Sequence, residues 1–256
     1  MNLIPNLFTY TNLLLGFLAI IAIGNGRFSL GVWMIFGAAL MDGADGTIAR
    51  LTKKMSSFGK ELDSLADLVS FGVAPGVLIY QVLYQSTGYW AIPVSTLSIF
   101  GGAFRLARYN IYAAPSSRAS SFTGLPIPGA ALTLASFYLY TFRNPEGRLT
   151  IPIWIGLSVA VFFLMVSQIP YSRMIVMPLS KKYLLGMSLF FVILLLGVVV
   201  FKQVKILFPL MVIYLLSGPV RAVKLLDHAL GRGMGAFLHP VDPAHRSPRL
   251  KFFKRR

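Results

Sequence analysis

The chain has 256 residues, 56% of them hydrophobic and only 12% charged, with a mean hydropathy of +0.70. That composition places it in the helical membrane class, and it argues against nucleic acid as a partner despite a net charge of +16. There are no cysteines, which excludes disulfides, thiolate metal sites and cysteine nucleophiles.

Eight apolar segments are predicted, at 7–24, 28–49, 60–84, 89–109, 127–142, 150–169, 183–201 and 205–221. Their lengths are close to the roughly 17–25 residues a helix needs to cross a bilayer. No Lys or Arg precedes Arg27, and no small-residue cleavage pattern follows, so the first segment reads as a retained helix rather than a signal peptide. Within it, Thr9 and Asn12 have a simple reading as helix caps at the interface. Short connections such as 25–28 and 86–89 imply antiparallel neighbours.

The second and third segments are joined by DGADGTIARLTKKMSSFGKELDSLAD, which carries five of the eight carboxylates. Asp42 and Asp45 are three apart, and Asp63 and Asp67 are four apart, so each pair shares one face of a helix. Acids beside a bilayer are costly and usually functional, and a cluster of four repels itself unless cations neutralise it. Two such faces make a cage for hard divalent ions that prefer oxygen: Mg²⁺, Mn²⁺ or Ca²⁺. Two cations about 4 Å apart can clamp an in-line displacement at phosphorus. A purely structural metal site is the simpler alternative. Gly46 and Ala49 are small enough to admit a bulky ligand to the backbone. Arg50 is placed to hold phosphate oxygens, or else to anchor topology, as Lys53 and Lys54 do. Gly59 by itself reads as a turn residue.

Further along, the fourth segment ends in RLARYN. Arg105 and Arg108 are i,i+3 and so can face one pocket together, with Asn110 nearby, or they can snorkel and set topology. The stretch GLPIP (124–128) predicts a rigid turn that starts the fifth helix and shapes a pocket with its backbone. Gly72 and Gly76 on the third segment suit either a groove for lipid tails or helix packing. His228, His239 and His245 all lie near the C-terminus and have no partner spacing that suggests catalysis. Met174 and Met177 read as interfacial packing.

With the N-terminus in the cytoplasm, nineteen basic residues fall on the cytoplasmic side and five on the other. The positive-inside rule then sets an even number of spans, with both termini cytoplasmic. The aspartate window, Arg105 and Arg108 converge on that cytoplasmic face. The fold expected is an all-α polytopic membrane bundle of about eight transmembrane helices. It divides into a membrane domain over 1–225 and a basic tail over 226–256, whose RLKFFKRR ending suits anionic lipid headgroups or a solvated anchor.

Asp42, Asp45, Gly46, Ala49, Arg50, Gly59, Asp63 and Asp67 match D-x2-D-G-x2-A-R-x8-G-x3-D-x3-D without a gap. This pattern resembles the signature of the CDP-alcohol phosphotransferases, which exchange the CMP of a CDP-linked lipid for an alcohol with two metals. The resemblance implies that Asp42, Asp45 and Asp63 ligate metal, and that Asp67 joins the second metal and acts as general base. It implies that Gly46, Ala49 and Arg50 line the cytidine-diphosphate site, with Ser56 and Gly59, and that Pro5, Asn6 and Thr9 reach the nucleotide.

The stretches at 60–76, 105–110 and 122–131 are similar to the membrane-integral phosphatidylserine synthases of bacteria and archaea. Those proteins commonly carry Phe near Tyr109, Ser near Ile127 and Ala near Gly129. That similarity covers residues 1–225. It implies CDP-diacylglycerol and L-serine as substrates, with Arg105, Arg108 and Asn110 toward the serine. It also implies a homodimer in the cytoplasmic (inner) membrane, with the active site facing the cytoplasm. Two alternatives stay open. One is the same chemistry on glycerol 3-phosphate or an inositol phosphate, whose phosphate would also suit two arginines. The other is a cation-coupled transporter, for which acids near the bilayer midplane would be expected.

Overall fold

The computed structural model describes residues 3–52, 57–112, 121–141, 150–172 and 204–238. The expected span 183–201, Ser56, Met174, Met177 and the end of the basic tail lie outside them. The described residues are mostly helical. Helix α1 (Leu3–Gly24) and α2 (Phe28–Thr52) form a hairpin. The tight turn at Asn25–Gly26 needs a glycine, because Gly26 has a φ of +75°. The two helices cross closely at Gly31, where a Cβ would lie 2.4 Å from Ile23 Cγ1.

The predicted third segment is a helical rod in three parts. Helix α3 (Ser57–Asp67) runs into a π-helical stretch, Leu68–Val73, and then into α4 (Ala74–Thr87). In the π stretch the Ala74 N–H reaches back to Val69 O, five residues earlier. Pro75 follows and has no N–H to give to Phe71, so the α-helical pattern cannot run unbroken through this point. Asp67 is the last residue before the stretch.

Gly88, with a φ of +57°, ends the rod, and α5 (Ala91–Tyr112) packs back against α4. Gly72 and Gly76 serve this packing. A Cβ on Gly76 would sit 3.1 Å from Ser95 O, and one on Gly72 would lie 3.8 Å from Ser98 O and Ile99 Cα of α5.

Helix α6 (Ile127–Thr141) is the centre of the bundle, with every residue from Gly129 to Leu139 buried. Phe137 packs edge-on against Trp154 of α7 (Thr150–Val166) and against Phe208 of α8 (Leu207–Leu238). Two three-residue strands, β1 (Ser121–Thr123) and β2 (Pro170–Ser172), pair antiparallel at one end. The expected boundary at residue 225 falls inside α8, which continues to Leu238.

The outer faces carry large exposed apolar side chains, among them Phe17, Phe100, Phe163, Ile213 and Leu216. A surface this apolar has lipid as its natural solvent. Among the described residues, Leu7–Gly24 and the helical run Phe58–Ile111 are long and apolar enough to cross a membrane.

Candidate metal centre

The carboxylates of Asp42, Asp63 and Asp67 converge, with one oxygen from each lying within 4.8 Å of the others. Asp42 comes from α2 and the other two from α3, so the two helix faces inferred from spacing do meet. Asp45 lies one turn on from Asp42 and is almost fully buried. It is close enough to Asp63 for the two carboxylates to repel. Asp67, also buried, is opposed by Asp42 and Asp63 and attracted by Arg105. Among the described residues Arg105 is the cation that acts on Asp67, and the donor set of the cluster is all oxygen. Asp45 Oδ1 is buried without a hydrogen-bond partner in the protein. A hard divalent cation fits these residues by charge, by donor type and by the open valence on Asp45.

Helix α1 completes the site in a way the sequence left undecided. Thr9 donates its hydroxyl hydrogen to Asp45 Oδ2, and Asn12 donates through Nδ2 to Asp67 Oδ1 at 3.1 Å. Both residues lie inside α1, so the capping interpretation is corrected: a cap must sit at a helix end, and these two reach across to α2 and α3. The close approach is set by Gly16, one turn beyond Asn12. A Cβ there would fall 2.2 Å from Ser70 Oγ. Ser70, in the π stretch, donates to Asn12 O at 2.9 Å. Neither Gly16 nor Ser70 was singled out by sequence reasoning. The signal available was the stripe Thr9, Asn12, Gly16 of small and polar residues on one face of an apolar helix.

Arg105 and Arg108 part company. Arg105 is buried and lies in the field of Asp67. Arg108 turns to the end of α7, where its guanidinium donates to Val166 O at 2.6 Å, Ser167 O at 2.9 Å, Thr123 O at 3.0 Å and Met165 O at 3.1 Å. The two arginines therefore do not face one pocket together. The last carbonyls of α7 have no helical N–H to meet them, and Arg108 supplies the donors. Gly124, at φ +82°, makes room for this brace, since a Cβ there would lie 2.6 Å from Arg108 Nη2. Asn110 donates to Ser64 Oγ at 3.0 Å and so ties the end of α5 to α3. Its Oδ1 is buried without a partner. Gly46, Ala49 and Arg50 occupy the last turns of α2, Asn6 lies in the first turn of α1, and Gly59 is in the first turn of α3.

An all-oxygen carboxylate cluster that could hold a metal ion, at the junction of two helices of an apolar bundle, marks the class of protein. The chain belongs to the CDP-alcohol phosphatidyltransferase family, whose sequence profile matches residues 2–220. It is 37% identical over 227 residues to a CDP-diacylglycerol--serine O-phosphatidyltransferase of Helicobacter pylori, covering 88% of this chain and 92% of that protein. It is 38% identical over 172 residues to an archaetidylserine synthase of Methanothermobacter thermautotrophicus, covering 66% and 70% of the two chains. A Bacillus subtilis protein of the first name is 36% identical over 171 residues, covering 67% and 90%.

Proposed function

We infer that the chain is a CDP-diacylglycerol–serine O-phosphatidyltransferase. The observation that carries this reading is the carboxylate cluster beside Arg105, in a chain that aligns over 88% of its length with a relative of that name. Asp42, Asp45, Asp63 and Asp67 hold two divalent cations, Mg²⁺ or Mn²⁺. When bound, these supply charge neutralisation at the pyrophosphate and polarise the phosphate under attack.

The chain's own residues do the rest. Asp67, oriented by Asn12 through one oxygen, takes the proton from the serine hydroxyl with the other. The serine oxygen bonds to the phosphorus that carries diacylglycerol. The bond from that phosphorus to the bridging oxygen breaks, and CMP leaves with the electron pair. Arg50, with Gly46, Ala49, Asn6, Ser56 and Gly59, holds the cytidine diphosphate. Arg105 faces the serine carboxylate, with Asn110 at the edge of the pocket, while Arg108 braces the wall.

The protein spans the inner membrane about eight times, with both termini and the site on the cytoplasmic side, and works as a homodimer. Residues 1–225 form its membrane domain and 226–256 its basic tail. The positive-inside bias of nineteen to five supports that orientation.

The test is CMP release from CDP-diacylglycerol by the purified protein with L-serine, glycerol 3-phosphate or inositol phosphate as acceptor. Release is expected only with serine. A chelator should abolish it, Mn²⁺ or Mg²⁺ should restore it, and Asp67→Asn should lower it by about 100-fold or more, in line with loss of a general base. Release with another acceptor alone would keep the chemistry and sink the serine assignment.

A further inference from the structure

Tyr214 lies on α8, far in sequence from every residue of the metal centre. Its hydroxyl oxygen is buried and has no hydrogen-bond partner in the protein. Such a group is costly to leave without a hydrogen bond and calls for a partner.

The ring that carries this hydroxyl is held on two sides. On one it lies against Gly129 of α6, where a Cβ would sit 2.8 Å from Tyr214 Cε1. On the other it meets Tyr171, with ring centroids 6.0 Å apart. Tyr171 is itself fixed. It is fully buried, it donates to Leu215 O at 2.8 Å, and its ring sits against Gly218, where a Cβ would be 2.2 Å from Cζ. The Tyr214 hydroxyl is therefore presented at a set position.

The Arg105 guanidinium lies within electrostatic range of both Asp67 and Tyr214. Gly102, one turn earlier on α5, brings this part of the helix onto α6 and the π stretch, since a Cβ there would lie 2.5 Å from Ile127 Cδ1 and 3.8 Å from Gly72 Cα. Asp67, Arg105 and Tyr214 thus bring one proton acceptor and two hydrogen-bond donors into one neighbourhood. An acceptor molecule with a hydroxyl and, a few bonds away, an anionic group matches that set.

We propose that Tyr214 is an acceptor-binding residue whose hydroxyl donates to the carboxylate of the acceptor, beside Arg105, and that Gly129 is needed to seat its ring. The proposal rests on the reading of serine as acceptor.

The experiment uses the full chain in detergent micelles with CDP-diacylglycerol and Mn²⁺, and measures CMP release against L-serine and glycerol 3-phosphate. Tyr214→Phe should raise KM for L-serine about 10-fold or more, as expected for a lost bond to a charged group. The KM for CDP-diacylglycerol and the thermal unfolding midpoint should stay as in the wild type. Gly129→Ala should reproduce the rise in serine KM by displacing the ring. An unchanged serine KM in Tyr214→Phe overturns the proposal, as does a parallel rise in both KM values, which would mark Tyr214 as packing. Wild-type protein that uses glycerol 3-phosphate and not serine overturns the serine reading first. In that case a rise in its KM in Tyr214→Phe would uphold an anion contact at Tyr214, and no rise would overturn that too.

Discussion

Asp45 shows how a single side chain links α1 to the metal centre. One of its oxygens accepts from Thr9, and the other is buried and open. The hydroxyl of Thr9 fixes which oxygen faces inward, a role that hydrogen bonds outside the ligand set commonly play. Thr9→Val keeps the shape of the side chain and deletes that bond. The expected result is a rise of about 10–100-fold in the Mn²⁺ concentration needed for half-maximal CMP release. An unchanged Mn²⁺ dependence would mean that Asp45 is held by packing alone.

At the scale of the element, α1 and the π stretch act as one unit. Gly16 lets Ser70 approach, Ser70 bonds to the backbone of Asn12, and Asn12 holds Asp67. The π turn directly after Asp67 also rephases the helix, so that α3 can face the metal site while α4 packs on α5. Gly16→Val would force α1 and the π stretch apart. Overpacking of this kind costs about 1–3 kcal/mol, so a lower unfolding midpoint and loss of CMP release are expected together. Gly156→Val is the control. A Cβ at Gly156 meets nothing within 4 Å, and both quantities should stay near the wild type there. Full activity in Gly16→Val would remove α1 from the account of the site.

For the whole molecule the question is orientation. The chain has no cysteine, so single cysteines can report on it without background. Ser86→Cys, in the last turn of α4, should react with an impermeant maleimide in intact cells. Lys54→Cys, in the aspartate window, should react only once the membrane is opened. The reverse pattern would turn the protein over and place the carboxylates outside the cell. The apolar outer surface and the buried α6 agree with a bundle packed within lipid, where helices satisfy their own backbone groups.

Much of this protein could be read from the chain alone. Composition and apolar run lengths determined a helical membrane protein, because no other fold class hides so few charges among so many apolar residues. Helical period determined that Asp42 with Asp45, and Asp63 with Asp67, share faces. The eight-residue pattern spanning Asp42 to Asp67 determined the family. Spacing along one helix says which residues lie together on that helix, and it does not say which face of a distant helix will meet them. So the bonds from Thr9 and Asn12 to acids 36 and 55 residues away were settled only by packing. The same holds for Arg108, which period placed beside Arg105 and which the unmet carbonyls of α7 drew away. Tyr214 had no signal at all in the sequence. Its seat exists because two glycines, Gly129 and Gly218, let three elements close to contact around a pair of tyrosine rings.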